Sequence, residues 1–322
     1  MVKLLVILVV CFSLSHFIMG QEIKPFTAQT EFQKQHKKFP EISVFNPEVS
    51  GVDSLMNVVY RVVNDLPLHI DIYKPKQTKE KSPLLIMVHG GGWNAGDKSL
   101  EHPIARYMAG AGIVAVAVQY RKSPEALYPA AIQDVRCAIR YLRYKSEDYN
   151  IDTTRVVIMG ESAGGQIAAL IGATNVENDE FATDEYMGYS SRVNKVVDVD
   201  GVLCFIHPDS REGVDKPGKL SCATQWFGRP AHECPELWDS ASPLYRVGRE
   251  SADFLFINSS QPRFSAGQSQ MIERLRFYGH EAKEIKTTET PHTFWLFNPW
   301  AKQVADWVVN EILDGSQIQR RK

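Results

Sequence analysis

Cysteine is scarce in this chain, with five residues among 322. A small disulfide-bonded scaffold is therefore excluded, because such folds need a much denser cysteine framework. No cysteine pair has metal-site spacing and no zinc, haem or nucleotide motif is present, so the sequence predicts no metal and no cofactor. The 36 basic and 38 acidic residues give a net charge of −2, which argues against a nucleic acid partner.

Long apolar runs are also missing beyond the first twenty residues. Residues 1–20 are typical of a secretory signal peptide, since a short basic start precedes a largely apolar run at residues 4–17. That run is short for a membrane span, and no later segment is apolar for long enough, so we predict no membrane span. The expected location of the protein is therefore secreted or periplasmic.

Apolar runs alternate with helical patterns along the rest of the chain. Residues 68–73 alternate apolar and polar side chains, which is typical of a half-buried antiparallel strand. Residues 113–118 and 156–159 read as strands buried on both faces, and an amphipathic helix is predicted between them at residues 130–144. Another strand is predicted from residue 196, extending as far as residue 205. This order predicts an α/β fold with a doubly wound, mostly parallel sheet.

The motif Gly160-Glu161-Ser162-Ala163-Gly164 follows one of these strands and precedes a helical pattern of small residues. Strand, sharp turn and helix form the context of a nucleophile elbow. Glycines on both sides let the backbone cross closely, and the helix that follows points free N–H groups at the turn. The pattern predicts Ser162 as a catalytic nucleophile.

A glycine-rich loop, HGGGW at residues 89–93, follows another apolar run. Without side chains, its main chain can approach a substrate oxygen closely. We predict that the amides of Gly91, Gly92 and Ala163 form an oxyanion hole, and that His89 is structural.

A general base is expected near the end of the chain. His292 follows the predicted last strand at residues 282–287, and the chain order of serine before histidine suits this position. The sequence therefore predicts His292 as the base that activates Ser162.

These residues resemble the α/β-hydrolase esterases, in particular the hormone-sensitive-lipase-like and feruloyl-esterase-like carbohydrate esterases. The resemblance runs over residues 68–307 and implies an α/β-hydrolase fold, with helices on both faces of the sheet, and serine carboxylester hydrolysis. We accordingly expect an N-terminal extension at residues 21–50, a catalytic domain at 51–316 and a basic tail at 317–322.

The triad acid departs from the family pattern. Members of the family usually carry an aspartate after the strand predicted here at residues 253–257, and no carboxylate stands there. We favour Asp209, because a loop residue can turn toward the site more freely than a strand residue. Asp200 and Glu289, which precedes His292 by three residues, remain alternatives.

Substrate recognition is inferred from aromatic and basic residues near the predicted loops. Trp93 and Trp295 are candidates for stacking on sugar rings, and Arg263 for pairing with a uronate carboxylate. Residues 254–300 also resemble a subset linked to pectin methyl ester removal. We predict a secreted esterase that acts, through an acyl-enzyme, on acetyl, feruloyl or pectin methyl esters of plant polysaccharides or oligosaccharides. A lipase or peptidase of the same fold, or a non-catalytic binding protein, is the alternative.

The segment at residues 207–240 is long and irregular, which suits a cap or substrate-binding loop. It contains Cys222 and Cys234, which in an exported protein could close a loop as a disulfide. Cys137 and Cys204 are expected to be packed thiols.

Overall fold

The computed structural model of the protein describes residues 24–176 and 181–314. The predicted signal peptide, residues 1–20, and the predicted basic tail, residues 317–322, lie outside the described residues. Within the described ranges, no helix combines the length and apolarity needed to cross a bilayer.

Ten strands and ten helices make up the described structure. The strands are β1 Ser43–Val44, β2 Val52–Val63, β3 Leu66–Pro75, β4 Ser82–Val88, β5 Val114–Val118, β6 Ile151–Glu161, β7 Lys195–Val199, β8 Asp253–Asn258, β9 Ala282–Lys286 and β10 Phe297–Asn298. The helices are α1 Ala28–Gln35, α2 His102–Gly110, α3 Ala130–Tyr144, α4 Ser146–Tyr149, α5 Ala163–Ala173, α6 Cys222–Phe227, α7 Pro235–Ser240, α8 Pro243–Arg246, α9 Gln268–Phe277 and α10 Trp300–Leu313.

An eight-stranded sheet in the order β2-β3-β5-β4-β6-β7-β8-β9 forms the centre of the molecule. β3 runs antiparallel to both β2 and β5, and every other neighbouring pair is parallel. The predicted α/β fold with a mostly parallel sheet is therefore confirmed. Carboxyl ends of parallel strands share one edge of a sheet, so the loops after β4, β6, β7 and β8 meet there.

Both faces of this sheet are covered by helices. Alternate residues of β4 enter two separate cores: Leu84 and Ile86 join α3 and α5, whereas Leu85 and Met87 join α2 and α10. A strand buried on both faces needs the continuous apolar run that the sequence shows. The helix predicted at residues 130–144 matches α3 in both bounds.

The strand predicted from residue 196 is shorter than expected. β7 ends at Val199, and the next residue, Asp200, has a φ of 52°, which no strand residue adopts. Residues 202–205 are buried although they lie outside the strand. The amide of Phe205 donates to the side chain of Ser242, at 3.1 Å from Oγ, and not to a neighbouring strand. The prediction of a strand reaching residue 205 is therefore wrong.

The expected disulfide between Cys222 and Cys234 is also absent from the described structure. Both thiols are free; Cys222 is exposed at the start of α6, and Cys234 lies 3.5 Å from the carbonyl oxygen of Pro230. Cys137 and Cys204 are buried free thiols, as predicted.

Candidate active site

Ser162 lies in a strained turn between β6 and α5. Its backbone has φ 54° and ψ −116°, a conformation that is costly for a residue with a side chain. The flanking glycines are required by space, since an added Cβ at Gly160 would lie 2.2 Å from the carbonyl oxygen of Gly164, and one at Gly164 would lie 1.8 Å from that of Val88. The turn therefore holds the Ser162 hydroxyl out at the carboxyl edge of the sheet.

A histidine and a carboxylate complete a line of hydrogen bonds from this serine. His292 Nε2 lies 2.9 Å from Ser162 Oγ, and His292 Nδ1 lies 2.9 Å from Asp200 Oδ2. The other oxygen of Asp200 accepts the amide of Ser259 at 2.7 Å. Asp200 is thus fixed at both oxygens, and it fixes in turn the orientation of the imidazole ring.

The expectation that Asp209 supplies the carboxylate is wrong. The side chain of Asp209 is 72% exposed, and its ionisable partner is His207, at 3.7 Å. Glu289 is exposed, and no hydrogen bond joins it to His292 in the described structure. Asp200, by contrast, is fully buried against His292.

The shortened strand explains why Asp200 reaches the histidine. In a strand, Asp200 would turn toward the site less freely than a loop residue, which is why the sequence favours Asp209. Because β7 ends at Val199, Asp200 is the first loop residue, and its positive φ redirects the chain. Its own amide donates to the carbonyl of Ile257 at 3.1 Å, which holds it beside the end of β8.

Two aromatic rings hold the imidazole of His292. Phe264 stacks on it with ring centroids 3.5 Å apart, and Trp295 meets it edge-on at 5.0 Å. Burial lowers the pKa of His292 from its ordinary value, and the hydrogen bond that His292 Nδ1 donates to Asp200 opposes this effect. The imidazole is therefore neutral near pH 7, which is the form that can accept the serine proton.

The glycine loop lies directly against Ser162. A Cβ added at Gly90 would come within 3.4 Å of Ser162 Cβ. Gly91 and Gly92 have φ values of 127° and 61°, which favour glycine. In the described structure, the amides of Gly91, Gly92 and Ala163 donate to no other residue. Free amides next to the serine are the feature that an oxyanion hole requires.

His89 has the structural role that the sequence predicts. Its Nδ1 lies 2.8 Å from the carbonyl oxygen of Gly90, and its ring stacks on Tyr120 at 4.4 Å. Burial lowers the pKa of His89 to about 4, so the ring is neutral and supports the loop without charge.

Neither predicted tryptophan is open to a sugar ring. Trp93 is only 2% exposed, stacks on Trp226 at 5.2 Å and donates its Nε1 to Gln166 Oε1 at 2.9 Å. Trp295 is 3% exposed and packs against His292. Their place near predicted loops favours stacking on a sugar ring. Tertiary packing buries them, so this assignment is wrong.

Arg263 lies at the mouth of the site, but it already has a partner. Its Nη2 is 2.9 Å from Glu212 Oε1, and its guanidinium lies 4.3 Å from the ring centre of Phe264. The side chain is 46% exposed, so part of the guanidinium remains accessible. Glu212 is almost enclosed, and burial raises the pKa of its carboxyl group.

The segment at residues 207–240, which we call the cap segment, contacts both catalytic loops. Its helix α6 packs on the glycine loop: Gln225 accepts from Asn94 at 3.2 Å, and a Cβ added at Gly92 would lie 3.1 Å from Cys222 Sγ. Its Glu212 binds Arg263 beside Phe264. No local sequence pattern indicates a role for Glu212, Gln225 or Phe264, because each acts through a tertiary contact.

The fold and this site define the class of protein. A mostly parallel sheet with a serine elbow after one strand, an aspartate after the next and a histidine after the last is an α/β-hydrolase with a Ser-His-Asp arrangement. A family model described as BD-FAE matches residues 70–274, more than half of the chain. The chain belongs to the BD-FAE family.

The matches to curated relatives cover only part of each relative's length. Carboxylesterase NlhH of Mycobacterium tuberculosis is 35% identical over 115 residues, which are 35% of either chain. Esterase LipC of the same species is 28% identical over 214 residues, 64% of this chain and 52% of LipC. The chain thus spans about a third to a half of the length of these relatives.

Solved structures of similar fold cover most of the chain. A truncated carbohydrate esterase from gut microbiota has a TM-score of 0.67 at 24% identity, covering 83% of this chain and 99% of that one. Esterase 2 of Thermogutta terrifontis, phosphoramylated by tabun, has a TM-score of 0.66 at 23% identity. The match covers 86% of this chain and 98% of that one. At these identities the likeness shows the α/β-hydrolase fold.

Proposed function

We propose that the protein is a serine carboxylester hydrolase in which Ser162 is the nucleophile, His292 the base and Asp200 the acid. The observation that carries this proposal is the continuous line of 2.9 Å contacts from Ser162 through His292 to Asp200, beside the free amides of the glycine loop. The similar curated proteins are named carboxylesterase and esterase, which supports the same activity.

The reaction passes through an acyl-enzyme. His292 Nε2 takes the proton of Ser162 as Oγ attacks the ester carbonyl, and the new oxyanion accepts from the free amides of Gly91, Gly92 and Ala163. One such donor is worth about 3 kcal/mol of the barrier. The ester C–O bond then breaks, and His292 returns the proton to the leaving alcohol.

Deacylation repeats these steps with water in place of Ser162. His292 removes a proton from the water as its oxygen attacks the acyl carbonyl, and Ser162 Oγ leaves with that proton. The carboxylate of Asp200 stabilises the imidazolium that forms in both halves of the reaction. Asp200 also removes the reason for considering a non-catalytic binding protein, which was the apparent lack of an acid.

The substitution Ser162→Ala tests this assignment. We expect the variant to fold with an unchanged melting temperature and to lose nearly all turnover of p-nitrophenyl acetate, because Ser162 is the only hydroxyl group hydrogen-bonded to His292 among the described residues. Wild type should be labelled by a fluorophosphonate probe at Ser162, and the variant should not be labelled. A folded Ser162→Ala protein with substantial turnover would refute the assignment.

We infer further that the substrates are plant polysaccharide esters and that the enzyme is secreted or periplasmic. The signal-like residues 1–20 and the structural likeness to a carbohydrate esterase from gut microbiota support this inference. Among the predicted substrate-binding residues, only Arg263 has an accessible side chain, and its positive charge suits a uronate. Trp93 and Trp295 lend no support, since both are buried.

A panel of acetylated xylan, feruloylated arabinoxylan and methyl-esterified pectin separates the possible substrates. Methanol release from pectin would select the uronate ester, and Arg263→Ala should then raise KM for pectin more than KM for a neutral ester. Arg249→Ala, which removes the same charge from an exposed position at the opposite end of the sheet, is the control. Equal effects of Arg263→Ala on both substrates would rule out the uronate contact.

A further inference from the structure

Two glutamates next to the elbow have no place in the reaction described above. Glu161 is the last residue of β6 and directly precedes Ser162, and its side chain is completely buried. Glu101 ends a short 3-10 turn before α2 and is buried as well. Neither oxygen of the Glu161 carboxyl group accepts a hydrogen bond from a donor among the described residues, and its neighbour is the carboxyl group of Glu101. A hydrogen bond between two neighbouring carboxyl groups requires a proton on one of them, because an ionised carboxylate only accepts.

The groups that face this pair do not neutralise its charge. Asp198 of β7 faces Glu161, and it carries the same sign of charge when ionised. Tyr120, which follows β5, faces both glutamates, but its hydroxyl donates to the carbonyl oxygen of His89 at 2.8 Å. Among the described residues, no cation faces the pair.

The basic residues nearest to Glu101 in sequence are engaged elsewhere. Lys98 and His102 both bind the buried carboxylate of Asp71. Two carboxyl groups in contact in a low-dielectric interior cannot both ionise, because neither charge is solvated or compensated. Burial accordingly raises the pKa of Glu101 to about 7 and, with the charge of Glu101, raises the pKa of Glu161 well above its ordinary value.

The position of the pair gives it a mechanical role. The main chain of Glu161 supports the glycine loop, since a Cβ added at Gly90 would lie 2.8 Å from the carbonyl oxygen of Glu161. Glu101 belongs to the segment that leaves the same loop. A bond between the two side chains therefore ties the elbow to the segment after the oxyanion amides, which must keep a fixed distance from Ser162 Oγ.

We propose that Glu101 and Glu161 are a pair of positioning residues that share a proton, and that this bond holds the elbow and the glycine loop in register. Neither side chain touches the reacting atoms. The proposal rests on the proposed role of Ser162 for its effect on rate, but the shared proton is a property of the folded protein alone.

Infrared spectroscopy tests the shared proton without any assay of activity. In deuterated buffer at neutral pH, the wild type minus Glu161→Gln difference spectrum should show a carboxylic acid C=O band, because the variant lacks the protonated group. If Glu161→Gln does not fold, Glu101→Gln serves in the same experiment. A difference spectrum without this band would overturn the proposal, whatever the outcome for Ser162.

The pH dependence of stability gives a second test of the same point. A carboxyl group whose folded-state pKa is raised contributes stability that is complete below its unfolded pKa and is lost as the pH rises through the folded value. Between about pH 4.5 and pH 7, the melting temperature of the wild type should therefore fall relative to that of the double variant Glu101→Gln/Glu161→Gln. Parallel curves would contradict the shared proton.

Kinetics tests the positioning role. Glu101→Ala removes the bond and should lower kcat for p-nitrophenyl acetate by about a hundredfold with little change in KM, because a shift of the loop affects the transition state. Glu101→Gln keeps an amide donor to Glu161 and should restore most of kcat. Full activity of Glu101→Ala, or a Glu101→Gln variant as slow as Glu101→Ala, would refute the positioning role. Ser162→Ala, measured alongside, shows separately whether the serine mechanism holds.

Discussion

The two sides of the active site are built in different ways. On one side, the elbow at residues 160–164 and the loop at residues 89–93 are continuous motifs, each placed directly after a parallel strand. On the other side, Asp200, His292 and Phe264 come from three separate loops and meet only in the folded chain. The first side is dictated by local sterics of the backbone, and the second by tertiary packing.

The largest effect that separates the two sides is expected at Asp200. Asp200→Asn should lower kcat by about 10⁴-fold. The asparagine amide donates to His292 Nδ1, so the imidazole carries its proton on Nε2. A protonated Nε2 cannot accept the proton of Ser162. The amide oxygen can still accept from Ser259, so the fold should be retained. Turnover of p-nitrophenyl acetate and a melting curve measure both.

Asp209→Asn is the matched control for this variant. It changes the same functional group in an exposed side chain that lies outside the triad, so we expect wild-type kinetics. If Asp209→Asn were the slow variant and Asp200→Asn the active one, Asp209 and not Asp200 would be the acid of the triad.

The same comparison shows what the sequence could reveal. Ser162 and the glycine loop were predictable from their motifs. At Gly160 and Gly164 only glycine fits, because a Cβ would clash with the backbone, and the motif shows both glycines. His292 was predictable from the order of strands along the chain. Asp200 was not, because its role depends on β7 ending at Val199, directly before it, whereas the apolar residues after Asp200 favour a strand that continues to residue 205.

Side-chain burial set a second limit on prediction. Trp93 has the neighbours of a loop residue, yet its ring belongs to an aromatic cluster with Trp226 and Phe205. Nothing in a single sequence distinguishes an aromatic ring that faces the substrate from one that faces the cap segment. Glu161 did carry a signal, since a charged residue placed just after the apolar run at residues 156–159 is expensive to bury.

Asp198 gives a test of intermediate size, because it is as deeply buried as Asp200 but has no part in the triad. Burial, and then the charge of Asp200, raise the pKa of Asp198 to about 8. Its contribution to stability is therefore complete at low pH and is lost as the pH rises from about 4 toward 8. Asp198→Asn, which mimics the protonated form, should melt higher than wild type at pH 8 and retain activity.

Thermal melts of Asp198→Asn and wild type across pH 4 to 8 measure this difference. The gap between the two melting temperatures should widen as the pH rises. A gap that stays constant, or a loss of activity comparable to that of Asp200→Asn, would mean that Asp198 is tied to the triad and that burial alone does not describe it.

The smallest effect is expected from reducing agent, and it concerns how the cap segment is held. Glu212 and Gln225 attach this segment to the two catalytic loops by non-covalent contacts, and Cys222 and Cys234 are free thiols. A reductant should therefore leave the melting temperature and KM unchanged, whereas opening a structural disulfide would cost several kcal/mol. Alkylation of the denatured protein without reductant should modify both cysteines, with a reduced sample as the control. A mass two hydrogens below that of the reduced sample, with both thiols blocked to alkylation, would show a disulfide in the cap segment. The geometry of this side of the site would then also depend on a local covalent constraint.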